Sequence, residues 1–112
     1  MLQRVMWNGF DGHCQKILYK PNNNSDDVGS FKLYRKKDHY EIWSLSVDIA
    51  HRQKGYATQM LTEFISKFKS KRPLVLYVYK DNEIAIRLYK KVGFVIVNES
   101  AKYIYQMQYN AI

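Results

Sequence analysis

The sequence predicts a mixed α/β domain: a mostly antiparallel sheet with helices on its faces. Three observations carry that prediction. Residues 31–48 read as a β-hairpin, because Phe31, Leu33 and Arg35 alternate with Lys32, Tyr34 and Lys36, turn through Lys37, Asp38 and His39, and return as Tyr40 to Val47. Behind the hairpin stand two segments of helical periodicity, each followed by β-branched or aromatic residues. The resulting order, several antiparallel strands and then strand–helix–strand–helix–strand–strand, folds most simply as one sheet. The 112 residues suffice for a single domain, 1–112, with a modest core.

Each element has its own local signal. Residues 1–7 are compatible with a short strand, and Gln15 to Lys20 reads as a clearer one. Pro21 to Ser30, PNNNSDDVGS, is a loop by composition. In the strand that ends the hairpin, Trp43, Leu45 and Val47 are expected on one face, with Ser44, Ser46 and Asp48 on the other. A helix from about Gly55 to Lys69 buries Ala57, Met60, Leu61, Phe64, Ile65 and Phe68. Lys67, Lys69 and Lys71 suit the negative end of its dipole, and Pro73 closes it. Leu74 to Tyr79, LVLYVY, is apolar at almost every position, the pattern of a central strand covered on both faces. Asp81 or Asn82 caps a second helix with Ala85, Leu88, Tyr89 and Val92 inward and Gly93 at its end. Phe94 to Val97 and Tyr103 to Tyr109 are the final strands, joined by a polar turn through Asn98, Glu99 and Ser100.

Composition narrows the function classes. Hydrophobic residues make up 46% and aromatics 15%, which excludes a disordered tail. No apolar run is long enough to span a bilayer, and no sustained apolar segment follows Arg4 as a signal peptide would need, so no membrane association is expected. A single cysteine, Cys14, excludes an internal disulfide and fits a reducing, cytoplasmic setting. One Cys and three His without ligand spacing argue against a metal site. The net charge of +8, gathered at Lys32 to Lys37, Lys67 to Arg72 and Arg87 to Lys91, favours anionic partners, though most of these residues read as solvated faces.

The chemistry concentrates in Leu45 to Leu61. A strand there feeds a basic turn, His51, Arg52, Gln53 and Lys54, which reaches Gly55 at the start of a helix. Free N–H groups and the dipole at a helix N-terminus make this an anion site. A second stretch, Asn82 to Phe94, reads NEIAIRLYKKVGF.

Together these stretches resemble the GNAT N-acetyltransferases, the family related to histone acetyltransferases. RQKGYA, Arg52 to Ala57, matches the family's acetyl-coenzyme A signature, and Asn82 to Phe94 matches its downstream Asn-x-x-Ala-x-x-Leu-Tyr-x-x-x-Gly-Phe pattern. The resemblance implies a GNAT-like fold and acetyl-coenzyme A as co-substrate. It implies that backbone N–H groups of Gln53, Lys54, Gly55, Tyr56, Ala57 and Thr58 hold the pyrophosphate, with Arg52 and Lys54 adding charge. It also implies that backbone groups of Leu45, Ser46 and Val47 line the pantetheine arm and polarise the thioester carbonyl. Tyr89 takes the place of the tyrosine that protonates the departing thiolate, although a core role fits it too. Asn82 is a helix cap, a cofactor contact, or both. Glu41 stands where the histone-acetyltransferase branch carries its general base; alternation places it beside Trp43 and Leu45, an apolar setting that would raise its pKa. An ordinary charged strand-end residue is the competing reading. His39 and His51 are spare candidates in turns.

The chain departs from the family between its first strands, where the helical segment that walls the acceptor site is reduced or missing. An open acceptor side favours an amine on a protein, a lysine or an N-terminus, over an enclosed small molecule. The competing functions are a non-catalytic acyl-coenzyme A-binding or interaction module and a nucleic-acid-binding basic domain. A monomer and a homodimer are both compatible with the sequence.

Overall fold

The computed structural model of the chain describes residues 2–7, 13–21, 27–52, 55–68 and 70–110. These form strands β1 (Leu2–Trp7), β2 (Cys14–Tyr19), β3 (Gly29–Arg35) and β4 (Tyr40–Val47), followed by helix α1 (Tyr56–Lys67). Then come β5 (Leu74–Tyr79), α2 (Glu83–Val92), β6 (Val95–Asn98) and β7 (Ile104–Tyr109). One sheet takes all seven described strands in the order β1-β2-β3-β4-β5-β7-β6. The β4–β5 junction is parallel and every other described junction antiparallel. The predicted mixed, mostly antiparallel sheet is the one observed. The connection between β1 and β2, where the helical segment is expected to be reduced or missing, lies outside the described residues except for His13.

Both helices pack onto the same face. Met60, Leu61 and Phe64 of α1 are buried against Ile17, Phe31, Leu33 and Ile42, and Ala85, Leu88, Tyr89 and Val92 of α2 pack on the same cluster. Phe31 and Phe64 meet edge to face at 5.0 Å, a geometry that adds about 0.5–1.5 kcal/mol beyond area burial. The helical stripes read from periodicity pack on the core except for Ala57, and Tyr56 and Ile86 join them. β5 matches its reading as a strand covered on both sides only at its start: Leu74, Leu76 and Val78 face the helices and Val75 is 2% exposed on the other face, but further along that face Tyr77 is half-buried and Tyr79 is 65% exposed.

The faces of β4 differ from strict alternation. Lys32 pairs with Trp43 and Ser30 with Ser46, so β4 carries one extra residue, and Ser44 has a positive φ of 56°. This bulge reverses the sides of the residues beyond it. Leu45 packs with the core on the helix side. Trp43, 44% exposed, stays with Glu41 on the other face, called bare because no described helix packs on it.

The second motif has a structural account at most positions. Asn82 Oδ1 accepts from the Ala85 N–H at 3.2 Å, capping α2. Gly93 ends the helix at φ 121°, and a Cβ there would lie 2.9 Å from the Tyr109 ring. Phe94 N–H then donates to the Tyr89 carbonyl at 2.9 Å and buries its ring. Gly93→Ala should therefore cost roughly 1–3 kcal/mol, combining left-handed strain with displacement of Tyr109. Urea unfolding of the two proteins checks it; an unchanged midpoint would contradict this account of Gly93.

Candidate active site

The parallel strands β4 and β5 begin as neighbours and then part. Tyr40 N–H donates to the Pro73 carbonyl at 2.9 Å, and pairing continues only through Tyr40–Leu74 and Glu41–Val75. Beyond that point the facing edges of β4 and β5 share no ladder. Unpaired backbone N–H and C=O groups inside a sheet are a strong demand for an outside partner. Leu45, Ser46 and Val47 lie on the β4 side of the gap. Because the strands are parallel, α1 and α2 both begin beyond the open ends, so two positive helix N-termini flank the mouth.

On the β4 side, Arg52 Nε donates to the Val47 carbonyl at 3.0 Å, tying the turn back to the strand end. Gln53 and Lys54 lie outside the described residues. Gly55 is the N-cap of α1 at φ 77°, a left-handed conformation that glycine adopts without steric cost. A Cβ built on it meets nothing within 4 Å, so the space in front of this cap is open. Ala57 and Thr58 occupy the first turn. The Tyr56 ring packs on Tyr19 at 6.3 Å and on His51 at 5.9 Å, so its side chain is structural.

Glu41 sits at the closed end of the gap, on the bare face. Its Oε1 accepts from Trp43 Nε1 at 2.7 Å, and its Oε2 lies 2.8 Å from His39 Nε2. His39 Nδ1 in turn lies 2.6 Å from Asp38 Oδ1. Burial pushes the Glu41 carboxyl up, but hydrogen bonds from His39 and Trp43, with the charges of Lys36 and His39, outweigh it and hold the pKa below its ordinary value. The apolar setting expected to raise it is not what this side chain meets. The bulge removes Leu45 from its side, and two donors occupy its oxygens. Burial pulls the His39 imidazole down, while Asp38 and Glu41 raise it further, leaving it above its ordinary 6.5. His39 is in a turn as expected, and the turn aims it at Glu41.

Tyr89 stands on the opposite face, half-buried among the residues packed on the core, its ring 6.0 Å from Phe94. Burial pushes its phenol above 10.0, so the proton is retained at neutral pH. Glu41 and Tyr89 therefore lie on two sides of the sheet, and the gap between β4 and β5 is where those sides communicate.

Residues 16–94 match the Acetyltransferase (GNAT) family model. The chain belongs to the GNAT acetyltransferase family. Solved GNAT structures share its fold. A GNAT-family protein from Desulfovibrio desulfuricans superposes with a TM-score of 0.77 at 11% identity, over 100% of this chain and 99% of that one. Spermidine N-acetyltransferase from Vibrio cholerae, in complex with CoA and spermine, gives 0.73 at 16% identity, over 91% of this chain and 68% of that one. A GNAT protein from Bacteroides thetaiotaomicron gives 0.72 at 19%, over 90% of this chain and 64% of that one. An uncharacterised Mycobacterium leprae protein is 40% identical over 55 residues, which are 49% of this chain and 15% of that protein. The chain thus corresponds to a small part of that relative.

Trp43, Tyr77 and Tyr79 carry no sequence signal that marks them as site residues. With Glu41, Val78 and Ile104 they line a cleft of about 510 Å³ on the bare face of this GNAT sheet. The two-residue spacing of Tyr77 and Tyr79 is the one hint, hidden because LVLYVY is apolar throughout.

The His39–Glu41 contact has a pH signature. A lowered Glu41 pKa stabilises the fold above the ordinary value of 4.5, and that contribution is lost as pH falls through the folded value. A raised His39 pKa stabilises fully below 6.5 and is lost as pH rises through the folded value. The stability gap between wild type and Glu41→Gln should be widest between about pH 5 and 6.5. Urea titrations from pH 4 to 8 measure it; a gap independent of pH would rule the pairing out.

Proposed function

We propose that this chain is an acetyl-coenzyme A-dependent N-acetyltransferase and that its acceptor is a primary amine approaching from the bare face. The observation that carries the reading is the early end of β4–β5 pairing, which leaves two strand edges for an extended, amide-bearing ligand to bridge. The pantetheine arm has that chemistry, and the open left-handed cap at Gly55 leaves room for a pyrophosphate against helix N–H groups. Acetyl-coenzyme A, when bound, supplies an acetyl group activated as a thioester.

The protein's residues divide the rest of the work. Backbone groups of Leu45, Ser46 and Val47 orient the arm, and an N–H among them offers a donor to the developing oxyanion. First-turn N–H groups from Gly55 to Thr58, with Gln53 and Lys54, hold the phosphates, and Arg52 keeps the turn in place while adding charge. Asn82 fixes the start of α2, and Tyr89 on that helix donates its proton to the departing sulfur. Glu41, ionised at neutral pH, takes the proton that the acceptor ammonium must lose, directly or through water, because an amine of pKa about 10.4 is otherwise almost fully protonated.

The open face supports an amine carried on a protein. The likeness to spermidine N-acetyltransferases favours a second reading, a small polyamine. We place the protein in the cytoplasm, where its free, buried Cys14 would stay reduced; no described helix is long and apolar enough to cross a membrane.

Calorimetry with acetyl-coenzyme A should give saturable binding that Gly55→Glu abolishes, since a carboxylate there faces the phosphates. No heat from the wild type would end the reading and leave a nucleic-acid-binding domain as its rival. Tyr89→Phe and Glu41→Gln should each lower kcat about 10²-fold or more with acetyl-coenzyme A binding retained. Binding without turnover in the wild type would instead mark a non-catalytic module.

A further inference from the structure

Three adjoining hollows on the bare face carry a distinct pattern of charge. The central cleft has aromatic walls, Trp43, Tyr77 and Tyr79, with Ile104 beyond, and Glu41 is its one charged lining residue. Trp43 and Tyr77 stand 5.5 Å apart with planes tilted by 36°, and the indole is pinned by its bond to Glu41. An aromatic slot with one carboxylate at its floor suits a single ammonium on an apolar stem. The hollows on either side add cations around that carboxylate. One shares Glu41 and Trp43 with the cleft and adds Lys36. The other shares Tyr79 and adds Lys102 beside one acid, Asp81; Lys80 also lines it, but its Nζ donates to the Glu99 carbonyl at 2.9 Å and lies over the Tyr105 ring, on the core side. Lys102 Nζ lies over the Tyr103 ring at 5.2 Å, which keeps it on that rim.

Resting on the acetyltransferase reading, we infer that the acceptor is a lysine side chain within an acidic peptide segment. Its ammonium meets Glu41, its methylenes lie along Trp43, Tyr77 and Tyr79, and flanking carboxylates meet Lys36 on one side and Lys102 on the other. A polycation fits poorly: its first ammonium finds Glu41, but its others fall among lysines on a chain of net charge +8. The charge on the rim steers an acidic segment in and penalises a basic one.

The test is titration of the full chain, saturated with coenzyme A, with end-blocked heptapeptides followed by calorimetry at low salt. One carries a central lysine flanked by glutamates, a second has arginines as flanks, and a third has norleucine for lysine between glutamates. Spermine is the fourth probe. The acidic lysine peptide should bind about tenfold or more tighter than the other three, and added salt should narrow its lead over the basic peptide and spermine. Tyr79→Ala, at an exposed position, should weaken it about 3- to 10-fold. Lys102→Glu should reduce the preference for acidic flanks. Spermine binding as tightly, or the norleucine peptide binding equally, would overturn the inference. Mass spectrometry with acetyl-coenzyme A separates the two claims. An acidic peptide that binds selectively but is never acetylated overturns the transferase reading alone, whereas acetylated spermine with an ignored peptide overturns the acceptor assignment alone.

Discussion

The parting of β4 and β5 is the constraint on which the rest of the molecule depends. A parallel pair held only at Tyr40–Leu74 and Glu41–Val75 leaves backbone polar groups open in the middle of a sheet, where they would ordinarily be satisfied. The fold tolerates this because each strand is paired on its other side, β4 with β3 around the Ser44 bulge and β5 with β7 throughout. The helices lie across one face and bind both halves through a shared core. The opening is thus held by antiparallel pairing and apolar burial that do not pass through it.

The bulge at Ser44 decides what faces that opening. One extra residue in β4 sends Leu45 to the core and keeps Glu41 and Trp43 together on the bare face. There Trp43 and His39 satisfy both carboxylate oxygens of Glu41. An ionised carboxylate held by two donors is a weaker base than one raised by an apolar pocket, but it is fully charged at neutral pH and well placed to attract an ammonium. His39 also links Glu41 to the exposed Asp38. Tyr89, its proton retained through burial, stands on the other side, so the proposed acid and base do not touch.

Much of this was legible in the chain. Asn82, Ala85, Leu88, Tyr89, Val92 and Gly93 announce a capped amphipathic helix because each signal acts within a few residues. The same holds for Gly55 and the stripe Met60, Leu61, Phe64. RQKGYA and NEIAIRLYKKVGF were recognisable for the same reason. What escaped was non-local. Whether Tyr77 and Tyr79 meet a helix or solvent depends on what packs across β5, and their side chains are apolar enough for either. The His39–Glu41 contact depends on turn geometry at Lys36 to His39, where the Lys36 N–H bonds the His39 carbonyl at 2.8 Å.

The sequence by itself determined the order of the elements, the buried stripes of the helices, their caps and the two family motifs, since these arise from periodicity and short-range hydrogen bonding. Tertiary structure alone decided three things: that both helices share one face, that a bulge splits Trp43 from Leu45, and that β4 and β5 separate after Glu41 and Val75. Each of these is a choice between strand registers and packings distant in sequence. The local pattern is nearly the same for every alternative, and only the assembled sheet distinguishes them.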